Sequence, residues 1–159
     1  MSRQQVRCHG DERRFEAVAA FIYQRFGRSV NYIADVAGGQ GLLSRVLNKR
    51  YNYRSEVIDP RGFTLKGVPS VKAEYTPDMA GFYDLIVGLH PDEALHPVVE
   101  SAAVRPVVVV PCCNHWSPEK LGAKELINAV CGYLESRGVK TETVTLDFKG
   151  PKNIGIVTG

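Results

Sequence analysis

IADVAGGQGLLSRVL, residues Ile33 to Leu47, changes its hydrophobic pattern partway along. Tyr32 to Val36 reads as a short buried strand with Asp35 near its end. Gly38, Gly39 and Gly41 then break it, and Leu42, Leu43, Val46 and Leu47 follow at helical spacing as far as Arg50. Glycines in such a turn let the backbone pass close to a ligand, and the helix that opens behind them offers unpaired N–H groups to a negative group. Asp59-Pro60 closes the next strand, Arg54 to Ile58, and Asp59 stands 18 residues beyond Gly41. A carboxylate there borders the same crevice and can accept both hydroxyls of a ribose. The pattern fits a nucleoside-containing cofactor. A purely structural strand-to-helix turn is the competing reading.

The rest of the chain alternates in the same way. Asp11 to Phe26 places Phe15, Val18, Ala19, Ile22 and Phe26 on one helical face, with Asp11 expected as N-cap and Gly27 as the stop. A weak strand is expected over Ser70 to Ala73, and strong ones over Tyr83 to Leu89 (YDLIVGL) and Pro106 to Val110 (PVVVV). Between the last two, Asp92 to Ala103 reads as helical in its second half, with Pro97 at the first helical position after His96. Ser117 and Pro118 are expected to open a long helix, with Ile127, Val130, Cys131 and Leu134 inside and Gly138 closing it. Lys140 to Phe148 and Asn153 to Thr158 form a hairpin about Lys149-Gly150-Pro151-Lys152, so one of the pair runs antiparallel.

Composition excludes several classes. The 159 residues suit one domain, a helix over 1–28 leading into a sheet core over 29–159. At 44% hydrophobic and 23% charged residues, the chain is neither disordered nor fibrous. Its longest apolar run, Pro106 to Cys113, is far short of the roughly 18 residues of a membrane span, and MSRQQVRCHGDERR has no apolar signal segment. Four cysteines, two of them adjacent, do not make a secreted disulfide framework, so a cytoplasmic location is expected. The net charge of +3 is compatible with an RNA partner without requiring one.

A nicotinamide fingerprint wants G-x-G-x-x-G, whereas Gly39 and Gly41 are followed by Ser44 in the third place. Asp35-Val36-Ala37-Gly38-Gly39-Gln40-Gly41 instead resembles the D-x-G-x-G-x-G loop of class I S-adenosylmethionine-dependent methyltransferases, with Ala37 where the first glycine usually lies. That resemblance implies an α/β, doubly wound, mostly parallel Rossmann-like sheet of about seven strands, helices on both faces and a C-terminal β-hairpin. It implies S-adenosyl-L-methionine as cofactor. Asp35 would orient the methionine ammonium, Ala37, Gly39 and Gly41 would line the backbone approach, Asp59 would hold the ribose, and Glu74 would meet the adenine amino group, with Asp78 competing.

Two loops leave the same sheet edge on the acceptor side, Gly88-Leu89-His90-Pro91-Asp92 and Pro111-Cys112-Cys113-Asn114-His115. The run VVVVPCCN, with GLH before it, resembles a methyltransferase subgroup carrying a Pro-Cys-Cys segment, some of whose members modify RNA; Pro91-Asp92 departs from the Cys-Gly usual there. His90, Asp92 and Asn114 are the candidate catalytic residues, His90 as a base if the acceptor must lose a proton; His90 and Asp92 serve equally as turn caps. Cys112 and Cys113 read as small apolar residues or as an activated thiol. Adjacent cysteines lack the usual C-x₂₋₄-C spacing, so no metal is expected even if Cys8, His9 and His115 are counted. Trp116 reads as a stacking platform or a packing plug, and His96 as a surface turn residue.

Arg3, Arg7, Arg13, Arg14, Arg25 and Arg28 offer contacts to RNA phosphates. A charge cluster at a terminus reads equally as solvated surface and adds only slightly to the RNA reading. RNA is the first acceptor read and a small molecule the second, with an oligomer or partner subunit able to add specificity. A nucleotide-binding module without catalysis, using NAD or S-adenosylmethionine, is the alternative.

Overall fold

The structure is a computed structural model that describes residues 5–6, 10–150 and 152–159. Arg3, Arg7, Cys8, His9 and Pro151 lie outside the described residues. The elements run α1 (Arg13–Phe26), β1 (Tyr32–Val36), α2 (Leu42–Tyr51), β2 (Arg54–Ile58), β3 (Ser70–Val71), β4 (Leu85–Leu89), α3 (Leu95–Glu100), β5 (Val107–Val110), α4 (Ala123–Ser136), β6 (Thr141–Thr145) and β7 (Ile154–Thr158). They form one seven-stranded sheet in the order β3-β2-β1-β4-β5-β7-β6. Every pairing is parallel except those of β7, which runs antiparallel between β5 and β6. The sheet and its hairpin are those the sequence predicts.

Alternation along the strands divides the core. Successive side chains of a strand point to opposite faces. Ile33, Leu85, Val87, Val108 and Val157 meet Val18 and Ile22 of α1 and Leu43 and Leu47 of α2 on one face. Ala34, Ile86, Val107, Val109 and Ile156 meet Val98 and Val99 of α3 and Ile127, Val130 and Leu134 of α4 on the other. β4 and β5 are buried throughout, which is why their sequences are almost unbroken runs of Val, Leu and Ile. Among the described residues no helix is long and apolar enough to cross a membrane.

Several boundaries differ from the sequence reading, each for a local reason. α4 begins at Ala123 and not at Ser117-Pro118. Ser117 instead accepts the Glu119 N–H at 3.2 Å, and Asn114 Oδ1 accepts the N–H groups of Trp116 (3.2 Å) and Ser117 (3.1 Å). This side-chain turn outcompetes helix initiation until Gly122. α3 begins at Leu95, so Pro97 is its third residue, within the first turn whose N–H groups have no helical acceptor. The N-cap of α1 is Glu12; Asp11, one residue earlier, accepts the Arg13 N–H (3.0 Å) and the Lys149 N–H (2.9 Å), tying the helix start to the hairpin turn. The Lys149 and Arg13 N–H groups hold the Asp11 carboxyl below its ordinary pKa. β4 starts at Leu85 because Asp84 turns its carboxylate to the N–H groups of Asn31 and Tyr32, both at 2.9 Å.

Ile86 is fully buried in the middle strand of the sheet. Ile86→Ala is expected to lower the unfolding free energy by about 2–5 kcal/mol, the sum of lost transfer energy and a cavity. Urea denaturation checks this, and a loss well under 1 kcal/mol would mean that the centre of the sheet is not close-packed.

Candidate functional site

In an open parallel sheet, ligands bind beyond the carboxyl ends of the strands where the strand order reverses. Here that point lies between β1 and β4, and the loop after β1 is the glycine stretch. The Ala37 N–H donates to the Ile58 carbonyl at 2.9 Å, adding one rung to the β1–β2 ladder. The chain then reverses through left-handed residues, with φ 55° at Ala37, 59° at Gly39 and 84° at Gly41. At Gly38 a Cβ would stand 2.7 Å from the Asp35 carboxylate, and at Gly41 one would stand 2.7 Å from Val68 and 3.0 Å from Val57. The loop therefore needs glycine at both positions to lie so close to what it covers. Ala37 adopts a conformation that L residues disfavour, which accounts for glycine being the usual residue there.

Two buried carboxylates hold this loop. Asp35 is 1% exposed, and its Oδ2 accepts the Ser44 N–H at 3.2 Å and the Ser44 hydroxyl at 2.8 Å, joining β1 to the first turn of α2. Ser44 also shares a hydrogen bond with Ser55 of β2 at 2.8 Å. Burial pushes the Asp35 carboxyl up to about 6, against the Ser44 donors and with a further rise from the charge of Asp59. Asp59 is 2% exposed and accepts four donors: Gly39 N–H (3.0 Å) and Arg61 Nη2 (2.7 Å) at Oδ2, Arg61 N–H (2.9 Å) and Nε (3.0 Å) at Oδ1. Burial raises its pKa, but the donors from Arg61 and Gly39 outweigh burial and leave it below the ordinary carboxylate value. The Arg61 guanidinium, raised in turn by its bonds to Asp59, is half exposed and lies over the Phe63 ring at 5.4 Å.

A cleft of about 470 Å³ opens beside this pair, within the range of small-ligand sites. Ala37, Asp59, Glu74 and Asp92 line it, together with Arg61, Tyr75, Pro97 and His115. Asp35, Gly39, Gly41, His90 and Asn114 are not among its lining residues. Of the residues picked out from sequence, the cleft thus gathers four. It adds Arg61, whose signal in the sequence is a cation two positions after the strand-ending acid.

The acceptor-side loops are held tightly. The His90 N–H makes a last rung to the Val110 carbonyl at 2.9 Å; the residue then turns left-handed (φ 51°), and its Nε2 hydrogen-bonds the Lys152 carbonyl at 3.0 Å. Burial, with help from Arg14 and Lys152, lowers the His90 pKa against the opposing Lys152 carbonyl and Asp92. Asp92 is also left-handed (φ 50°); its Oδ1 accepts the Cys112 thiol at 3.1 Å and lies 3.9 Å from His115 Nε2. Burial and the Asp92 carboxylate push Cys112 up to about 12, which suppresses a free thiolate nucleophile there. The Asn114 amide is spent on its own turn, including a bond to the Glu119 carbonyl. Trp116 stacks flat on His96 (4.0 Å, 5°) and edge-on to Tyr133 (5.0 Å, 82°), so it is a packing plug, and His96 is half-buried within α3 and not in a surface turn.

No protein-family model matches the chain, and no curated protein matches its sequence. Solved structures do match its fold. The sugar N-methyltransferase KedS8 from Streptoalloteichus sp ATCC 53650 superposes with a TM-score of 0.59 at 15% identity, covering 99% of this chain and 98% of that one. A SAM dependent methyltransferase from Aquifex aeolicus gives 0.59 at 16% identity, over 94% and 93% of the two chains. SAM-bound CalS10, an amino pentose methyltransferase from Micromonospora echinaspora, gives 0.60 at 13% identity, over 99% of each. The chain has the class I methyltransferase fold. At these identities the likeness concerns the fold.

The pH response of Asp35 follows from its burial. Its folded pKa of about 6 lies above the unaltered 3.8, so the native state keeps a proton that the unfolded chain has lost. The stability Asp35 contributes is complete below pH 4 and is lost as pH rises through 6, a difference of about 3 kcal/mol at 1.4 kcal/mol per unit. Relative to wild type, Asp35→Asn is expected to gain about that much stability between pH 4 and pH 7, measured by urea denaturation at each pH. A pH-independent difference would mean that Asp35 is not buried as a carboxyl in this way.

Proposed function

We propose that the chain binds S-adenosyl-L-methionine in the cleft beside Asp59 and transfers its methyl group to a small-molecule acceptor. The observation that carries this reading is the buried Asp59 carboxylate at the end of β2, on the cleft and hydrogen-bonded to the glycine loop. The residues fit the cofactor: Asp59 can accept both ribose hydroxyls once Arg61 swings out, and the half-exposed Arg61 is free to do so. Glu74 lines the same cleft and would meet the adenine amino group. Asp35 acts from beneath, fixing the loop through Ser44 and reaching the methionine ammonium only by way of that loop or a water.

S-adenosylmethionine supplies an electrophilic methyl group on a sulfonium. What the protein adds is chiefly positioning of the acceptor for in-line attack, with a base needed only for an acceptor that must lose a proton. Asp92 is the catalytic candidate placed on the cleft. His90 donates from Nε2 to the Lys152 carbonyl, which leaves Nδ1 as its basic nitrogen, and the residue does not line the cleft.

The choice of a small molecule over RNA rests on the described arginines of the N-terminal helix. Arg25 pairs with Glu142 at 2.9 Å, Arg13 lies 3.5 Å from Asp11, and Arg28 bonds the Tyr51 and Asn52 carbonyls beneath Tyr53. Arg25 and Arg28 are thus held by partners within the fold, which interrupts a phosphate-binding stripe along this helix. Neighbours named as a sugar N-methyltransferase and an amino pentose methyltransferase point the same way.

Titration calorimetry with S-adenosylhomocysteine on two variants tests the placement. Asp59→Ala is expected to lose about 1–3 kcal/mol of binding, the value of hydrogen bonds to a charged group. Arg61→Ala is expected to bind unchanged or up to about fivefold tighter, since the ligand no longer displaces a half-exposed ion pair. Affinity lost in Arg61→Ala and kept in Asp59→Ala would overturn the assignment.

A further inference from the structure

The two acceptor-side loops bring thiols, a carboxylate and an imidazole together at the rim of the cleft. The Sγ atoms of Cys112 and Cys113 and a carboxylate oxygen of Asp92 all lie within 4.8 Å of one another. Cys112 Sγ is 3.1 Å from Asp92 Oδ1, and His115 Nε2 is 3.9 Å from that same oxygen. Zinc bonds of about 2.0–2.3 Å to N, O and S donors place the ligand atoms of a tetrahedron roughly 3.3–3.8 Å apart. The Cys112–Asp92 separation is close to such an edge, and the other two pairs, within 4.8 Å, exceed one by about 1 Å at most.

We propose that Asp92, Cys112 and Cys113 bind a thiophilic divalent cation of the zinc class, with the fourth position left to water or, after a side-chain shift, to His115. Two features favour a cation over the other fates of paired thiols. Adjacent residues hold their Cα atoms about 3.8 Å apart across a trans peptide, below the roughly 4.4–6.8 Å a relaxed disulfide spans. The Asp92 carboxylate, delivered from the other loop by a left-handed backbone, is an anionic acceptor aimed at a thiol, which suits a cation better than a nucleophile.

On binding, the cation forms bonds to both sulfurs, and the two thiol protons leave to solvent. The Cys112 S–H bond to Asp92 is replaced by two bonds to the metal. Lys152, whose ammonium donates to Cys113 Sγ at 3.7 Å, is exposed and must swing into solvent. The bound ion would join the β4–α3 loop to the β5–α4 loop on the acceptor side. The spacing rule that argues against metal in the sequence counts neighbouring cysteines alone, whereas Asp92 lies 20 residues from Cys112 and enters from another strand.

The test uses reduced, metal-free full-length protein in a Cys8→Ser, Cys131→Ser background, so that only the two proposed thiols remain. It is run without cofactor, which keeps its outcome separate from the methyltransferase reading. Cobalt(II) is expected to bind one per chain with thiolate-to-cobalt charge-transfer absorption and to be displaced by zinc(II). Cys112→Ser and Cys113→Ser should each remove about half of that absorption. Asp92→Asn, folded by circular dichroism, should weaken zinc binding at least tenfold, the scale on which even outer partners of a metal site act. Absence of thiolate charge-transfer absorption, or zinc affinity unchanged by Asp92→Asn, would overturn the proposal.

Discussion

The glycine loop between β1 and α2 is stitched down by two buried carboxylates, Asp35 through Ser44 and Asp59 through the Gly39 N–H. Buried carboxylates persist only when donors offset their desolvation. The two solve this differently. Asp35 has neutral donors and titrates near 6; Asp59 has a guanidinium and stays ionised. Their mutual repulsion adds to the rise at Asp35, so below pH 6 the charge kept here is that of Asp59, and above it both carboxylates are ionised. The path of the loop depends on both, because Gly38 folds directly over one carboxylate and Gly39 donates to the other.

Strain gathers at the same edge. Among the described residues only Ala37, Asn52, His90 and Asp92 are non-glycine residues with positive φ, and three of these follow β1 or β4 where the parallel strands end. Such residues persist when their surroundings fix them, and here ladder rungs at Ala37 and His90 do so. The backbone cost is spent on turning the chain sharply at the mouth of the cleft, which sets Asp92 against the Pro111–His115 loop.

Much of this was legible in the sequence. The strand alternation, the strand-to-helix turn at the glycines and the position of Asp59 at the end of β2 are local patterns, and the terminal hairpin follows from its turn. The start of α4 was not, because Ser117-Pro118 is a sound helix-start signal that the Asn114 side-chain turn overrides. Arg61 was missed because its direction depends on how the chain turns after β2. The meeting of Asp92 with Cys112 and Cys113 was hidden because it is made by sheet order, which sets the ends of β4 and β5 side by side. Asp35 is an intermediate case: the alternation that puts Ile33 against α2 also carries Asp35 to that side, where Ser44 waits.

The central claim is that the cleft beside Asp59 is an S-adenosylmethionine site. Titration calorimetry of the wild-type chain with S-adenosylhomocysteine, and separately with NAD, tests it most directly. The account predicts one-to-one micromolar binding of the first and no heat from the second. Binding of NAD alone, or silence with both, would contradict it.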